Sequence, residues 1–332
     1  MQPRRAAVAA LTALTALTAT ALCASACGGP SAPSSAPAPI ERPYVLPTSD
    51  ARVPLDGISW MQGTTLHVDG RSVDVGVHAE SYALVPDGVL LVARRRLWFS
   101  DSRSAARPVG DGVVAPDGPL VSPDGHHVAF LDDARGPVDR TGERFYRLDV
   151  LDTRTGRQTV ASTEGMGDLD EYRAEQYEDA DPAVRYLDDR AAYVDGIGGS
   201  WAYPLDGSRP RRVSEIPPLP TQPPVAVPGE TLVLGGANYL FSLRETSTGR
   251  RERFTVPGVA TANKFALGGW LGPRRFWGFA FHGRYAAVLG RGRMVSCSVA
   301  SRSCRAESGL LDSTGSAPVL VGGAPPTGGG VP

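Results

Sequence analysis

Residues 145–158 read Phe-Tyr-Arg-Leu-Asp-Val-Leu-Asp-Thr-Arg-Thr-Gly-Arg-Gln. Tyr146, Leu148 and Val150 alternate with Arg147 and Asp149, and an apolar residue at every second position predicts a strand with one buried face. The strand runs into Asp152-Thr-Arg-Thr-Gly156, where a glycine at the position that needs positive φ closes a short hairpin. Ninety-three residues on, Tyr239-Leu-Phe-Ser-Leu243-Arg244 leads into Glu245-Thr-Ser-Thr-Gly249-Arg250, the same strand and turn again. Weaker copies stand at Leu66-His-Val-Asp69-Gly70-Arg71, Trp98-Phe-Ser-Asp101-Ser-Arg103, Trp201-Ala-Tyr-Pro-Leu-Asp206-Gly207 and around Ser301. The six turns from Asp69 to Ser301 recur about every 46 residues.

A second marker precedes these turns. Leu120-Val-Ser122-Pro123-Asp124-Gly125-His-His-Val128-Ala129-Phe130-Leu-Asp132 is a strand, a Pro-Asp-Gly turn and another strand, and Tyr82 to Val92 repeats it around Pro86-Asp87-Gly88. Looser forms centre on Asp188-Asp189, Pro228-Gly229 and His282-Gly283. A repeat of this length with strand-turn-strand units has the size of a four-stranded propeller blade, not of a helical repeat. The Ser-Pro-Asp-Gly-x-x-Val-Ala-Phe string resembles the repeat of TolB-like, WD-related β-propellers, and the Asp-x-x-Thr-Gly-Arg turn fits the outer hairpin of the same blades. One copy is close to that pattern and the others are looser, and together they cover about residues 57–310. The resemblance implies an all-β fold, a disc of four-stranded blades around a central channel, with six blades favoured over seven. Such a ring closes by pairing strands from the two chain ends, for which Tyr44–Pro47 and Pro318–Val321 are the candidates. Two stacked β-sandwiches are the alternative. The propeller is expected over 44–321.

Composition agrees with an all-β chain. Gly and Pro make up about a fifth of the 332 residues, which punctuates the chain too often for long helices, and 42% apolar residues suffice for a core. A net charge of −1, from 34 basic and 35 acidic residues, gives no electrostatic pull toward nucleic acid.

The first residues carry an address. Arg4 and Arg5 precede an apolar run from Ala6 to Leu22, then Ala24-Ser-Ala26-Cys27. A positive start, a short apolar run and small residues at a cut site make a secretory signal over 1–26, too short for a comfortable membrane span. Ala-Ser-Ala-Cys-Gly-Gly resembles the lipobox of bacterial lipoproteins, which implies that Cys27 is acylated through its sulfur and heads the mature chain. An ordinary signal peptide cut after Ala26, or modification at Cys23, are the alternatives, and the route of export, general or twin-arginine, stays open. Removing Arg4 and Arg5 brings the net charge to −3. Residues 27–43 read as lipidated cysteine plus a Pro/Ser/Ala tether, which favours extended polyproline II with a reach of about 40 Å. Residues 322–332 read as a disordered tail.

Cys297 and Cys304 are the only pair left outside the signal region, and they flank the last turn, so a disulfide across that hairpin is expected. Their spacing, with no His nearby, is not a zinc pattern.

Motifs that carry chemistry are few. Gly198-Gly-Ser200-Trp-Ala202 is the nearest approach to a G-x-S-x-G elbow and ends in the wrong residue. The histidines 67, 78, 126, 127 and 282 pair with no Cys or Glu at ligand spacing. Asp132-Asp133 and Asp188-Asp189 fall at corresponding strand ends in successive repeats and offer a channel Ca²⁺ of the sort sugar lactonases use, although turn acids explain them as well. The turns are also similar to those of quinone-cofactor dehydrogenase propellers, without the tryptophan that follows such turns. Residues 164–181 concentrate eight acids against Arg173, among them Asp168, Asp170, Glu171, Glu175, Glu178 and Asp179. That loop is either a solvated connection or a recognition loop for a basic partner or a weak cation site. The expectation is a monomeric, non-enzymatic module without cofactor, held to the membrane by its lipid and binding a protein or cell-wall partner. A Ca²⁺-dependent, lactonase-like hydrolase working in the channel is the alternative.

Overall fold

The structure, a computed structural model, describes residues 42–115, 118–138, 142–167, 182–197, 199–217, 230–233, 242–259, 262–272, 274–282, 291–312 and 318–320. Every regular element among them is a strand, and the strands form six antiparallel sheets that follow one another along the chain.

The first sheet comprises β1 (Ser59–Gln62), β2 (Thr65–Val68) and β3 (Arg71–Asp74), and the second β4 (Ser81–Val85), β5 (Gly88–Ala93), β6 (Arg96–Ser100) and β7 (Arg107–Pro108). The third holds β8 (Leu120–Val121), β9 (His127–Asp132), β10 (Arg147–Asp152) and β11 (Arg157–Ser162), and the fourth β12 (Ala183–Leu187), β13 (Ala191–Gly196), β14 (Gly199–Pro204) and β15 (Arg211–Val213). In the fifth are β16 (Glu230–Val233), β17 (Ser242–Glu245) and β18 (Arg251–Arg253). The sixth contains β19 (Ala262–Trp270), β20 (Arg275–His282), β21 (Arg291–Ser298) and β22 (Ser303–Ala306), with β23 (Leu311–Asp312) paired to β21. Apart from β23, each is a meander in which neighbours in sequence are neighbours in space.

Side-chain parity shows how the sheets stack. Successive residues of a strand point to opposite faces, and in β5 Val89 and Leu91 join a core shared with Met61, Leu66 and Val68 of the first sheet, while Leu90 and Val92 join one shared with Val128 and Phe130 of the third. Ala129 and Leu131 of β9 in turn pack with Leu187, Ala192 and Val194 of the fourth sheet. Leu243 of the fifth sheet shares a core with Phe265 and Phe276 of the sixth. Trp277, Phe279, Phe281 and Met294 of the sixth then meet Trp60 of the first and Leu320. Sheets that pack face to face in chain order from the first to the fourth and from the fifth to the sixth, with the sixth returning to the first, make a β-propeller. The half-buried strand expected at 145–152 is corrected by this stacking: Asp149, on its polar face, is as fully buried as Leu148 and Val150.

The ring closes from one end only. Met61 and Val319 exchange both backbone hydrogen bonds, 2.9 and 2.8 Å, so the C-terminal segment supplies the first strand of the first sheet. Tyr44–Leu46, the other expected closing segment, lies instead on the outer edge of the third sheet, where Val45 pairs with Arg157 and Leu46 N donates to Gly156 O at 2.8 Å. An inner strand has one free edge, and Val319 occupies it.

Counted from Val319, the turns at Asp69, Asp101, Asp152, Asp206 and Ser301 connect the third strand of a sheet to the fourth, as the repeat predicts, and the turn at Glu245 connects the last two described strands of the fifth sheet. The side chains explain the residue choice. Asp152 Oδ1 accepts from the backbone N–H of Arg154 and Thr155, Asp101 from Arg103 and Ser104, and Asp206 from Ser208. Among the second markers, Asp87 and Asp124 sit between first and second strands, but His282 ends β20, a second strand. The first turn of the sixth sheet lies between Trp270 and Arg275 instead. Either hairpin of a meander gives an apolar-turn-apolar pattern, so the pattern alone does not fix the register. Pro228 and Gly229 lie outside the described residues.

Candidate functional site

The densest group of buried charge sits where the Tyr44–Leu46 strap crosses the third sheet. β9 ends in Asp132 and β10 begins with Arg147 directly opposite it, while Asp149 stands across from Phe130. All three occupy polar positions in strands whose both faces are covered. Buried charge requires partners, and each has them. Asp132 Oδ2 accepts from Tyr44 Oη at 2.7 Å and pairs with Arg135 Nε at 3.1 Å, and Oδ1 accepts from the backbone N–H of Ala134 at 2.9 Å and Val113 at 3.2 Å. Asp149 Oδ1 lies 3.0 Å from Arg147 Nη2 and also accepts from Gln158 Nε2, while Gln158 Oε1 accepts from Tyr44 N at 3.3 Å. The Arg135 guanidinium lies 4.4 Å from the centre of the Tyr44 ring, a cation–π contact, and its Nη2 donates to Asp111.

Glycine makes this approach possible. A Cβ on Gly112 would stand 1.9 Å from Asp132 Oδ2 and 2.0 Å from Tyr44 Oη, so no side chain fits there.

The electrostatics follow from burial. Desolvation pushes the Asp149 carboxyl up to about 7, outweighing the nearby Arg147 guanidinium. Desolvation and the Asp132 charge together hold the Tyr44 phenol far above its usual range. A carboxyl that titrates near neutrality beside two arginines can exchange a proton, and its partners Arg147 and Gln158 line, with Arg135, a cleft of about 320 Å³.

The residues singled out by sequence fare differently. Cys297 and Cys304 form a disulfide between directly opposed residues of β21 and β22, their Cα atoms 4.0 Å apart, and Cys304 N donates to Thr255 O of the segment following β18 at 2.9 Å. Cys27 and the loop residues Asp168, Asp170, Glu171, Glu175, Glu178 and Asp179 lie outside the described residues, as do the tether to residue 41 and the tail 322–332. Glu164, at the loop's edge, pairs with Arg209 at 3.0 Å. The two acid pairs do not occupy corresponding strand ends: Asp132 closes the second strand of its sheet, whereas Asp188 sits in the turn before the second strand of the next. Asp188 Oδ1 accepts from the backbone N–H of Arg190 and Ala191, both at 2.7 Å, and Asp133 pairs with Arg95. Among the described residues no three His, Cys, Asp or Glu side chains cluster as a metal site. Ser200 donates to Asp195 at 2.7 Å within its own hairpin, and His67 stacks on Trp60 at 4.5 Å while bonding Ser72.

The Tyr44–Asp132–Asp149–Arg135 group was not legible beforehand. Its one signal is the presence of Arg147 and Asp149 in a strand too apolar to lie at a surface.

No protein-family model and no curated protein sequence matches the chain. Among solved structures it is similar to the dihydro-heme d1 dehydrogenase NirN (14% identity, 83% of this chain and 57% of that one, TM-score 0.31). It is also similar to the C-terminal WD40 domain of Sif2 (10%, 85% and 74%, 0.31). A third likeness is to the β-propeller domain of the Trilobed protease from Pyrococcus furiosus (11%, 71% and 71%, 0.26). The chain thus spans little more than half the length of the dehydrogenase. At these TM-scores no argument rests on the likenesses, and the fold assignment stands on sheet order and shared cores.

Proposed function

We propose that the chain is an extracytoplasmic propeller, anchored to the cell membrane by a lipid on Cys27, that binds a protein or cell-wall component through its rim and does not catalyse a reaction. One observation carries the choice of binding over catalysis: the carboxylates that sequence offered for chemistry serve as supports. Asp132 anchors the strap and Asp188 caps a turn. A propeller presents a large rigid rim without needing a reacting group. The disulfide supports an oxidising compartment, in keeping with a secretory signal. Two or more acyl chains at about 0.8 kcal/mol per buried CH₂ would make the anchor stable. The acidic loop 164–181 is the proposed contact, and a basic surface its complement.

The test has three arms. Metabolic labelling with a fatty-acid analogue should mark the wild type and not Cys27→Ala. Capture from native envelopes should weaken when Asp168, Asp170, Glu171, Glu175, Glu178 and Asp179 are neutralised together, as it does in raised salt. Incubation with lactone, phosphodiester and glycoside substrates plus Ca²⁺ should stay at background. Turnover that Asp188→Ala abolishes would establish the channel hydrolase in its place.

A further inference from the structure

The cleft beside the strap has the features of a ligand site. Pro43, at the upstream end of the strap, and Val160 and Ala161 of β11 give it apolar walls, and Arg135, Arg147 and Gln158 give it polar ones. We propose that it binds a small organic monocarboxylate, whose oxygens are taken by the guanidinium groups of Arg135 and Arg147 and whose apolar body lies against Pro43, Val160 and Ala161.

Arg135 carries the argument. Its side chain is 4% exposed, yet its donors are not all used: Nε pairs with Asp132 and Nη2 with Asp111, and among the described residues Nη1 has no partner. A guanidinium edge with a donor to spare is shaped to hold a carboxylate. Arg147, 12% exposed, holds Asp149 and lines the same cleft.

Charge restricts the ligand further. Asp132 and Asp149 lie close behind the two arginines, so a dianion such as sulfate meets more repulsion than a monoanion. The groups facing Asp149 are Arg147, Gln158, Asp132 and Arg135. Because its carboxyl titrates near neutrality, an incoming anion favours the protonated form, and binding takes up a proton. The site is independent of the lipid anchor and of the acidic loop, so its failure leaves the reading above untouched.

The full-length chain is titrated with fluorobenzoate, followed by fluorine NMR at constant ionic strength, with neutral fluorobenzyl alcohol in parallel and sulfate as a competitor. Binding should saturate, be tighter at about pH 6 than at about pH 8, and resist sulfate. Ala161→Glu sets a carboxylate in the cleft without altering either arginine, and Ala161→Trp fills it. Each should weaken binding about tenfold or more, with unchanged melting temperature. Equal affinity in both folded variants, equal binding of the alcohol, or no saturable binding at all overturns the proposal.

Discussion

The phenol of Tyr44 donates a 2.7 Å hydrogen bond to Asp132, 88 residues away in sequence, and both side chains are buried. The bond fixes the strap over β11, which otherwise ends the third sheet as an open edge. Exposed edges invite pairing with other chains, and the fold treats the sixth sheet alike, where Thr255 binds Arg302 O and Cys304 N along β22.

Removing the phenol oxygen alone leaves a buried carboxylate short of one donor. Tyr44→Phe should therefore cost about 1–3 kcal/mol. Tyr44→Ala also empties the space beside Phe130 and beneath Arg135, and should cost about 3–5 kcal/mol. Urea midpoints of the two variants, measured with unchanged slopes, check both values.

Asp149 makes stability depend on pH in an unusual direction. Its folded value of about 7 lies above the ordinary 3.8, so between those limits the folded chain holds a proton that the unfolded chain has released. This contribution is complete below about pH 4 and is lost as the pH rises toward 7. Asp149→Asn should flatten that part of the profile, seen as a urea midpoint that falls less between about pH 4.5 and 7.5 than in the wild type.

The disulfide closes an eight-residue hairpin and should contribute roughly 2.5 kcal/mol through the unfolded chain. The Cys297→Ser, Cys304→Ser double variant should unfold at correspondingly lower urea. Intact mass should rise by two hydrogen atoms on reduction of the wild type, and two thiols titrating in the native, unreduced protein would contradict the bond.

What sequence revealed and what it hid divide by distance along the chain. The six turns were readable because each is local: an acid such as Asp152 or Asp206 caps backbone N–H groups within its own turn. The disulfide was readable for the same reason. The period gave the sheets but not every register, since His282-Gly283 reads like Pro86-Asp87-Gly88 although it follows a second strand. The charged group at the strap was hidden. Alternation in Phe145–Asp152 assigns Arg147 and Asp149 to solvent, and only the stacking of one sheet on the next, together with a strap from far upstream in the chain, turns that face into an interior. Glycine at position 112 is equally silent until Tyr44 and Asp132 are seen to meet beside it.

Ring closure makes the last prediction. Val319 and Met61 exchange two backbone bonds, and the neighbouring Leu320, 3% exposed, packs among Trp60, Trp277, Phe279 and Met294 where the sixth sheet meets the first. A propeller held there by one short strand should depend on it heavily. Leu320→Ala removes buried methyl groups from an aromatic cluster that cannot collapse around the gap, and should cost about 2–5 kcal/mol. Val319→Pro deletes the donor of the 2.8 Å bond to Met61 O and should cost a similar amount. Leu310→Ala, at a side chain 50% exposed, serves as the control and should change stability by less than about 0.5 kcal/mol. Because Trp60 and Trp277 line the seam, opening it should shift tryptophan fluorescence to longer wavelength before global unfolding in the Val319→Pro protein. Coincident fluorescence and circular-dichroism transitions there, at the wild-type midpoint, would show that the seam does not depend on this strand.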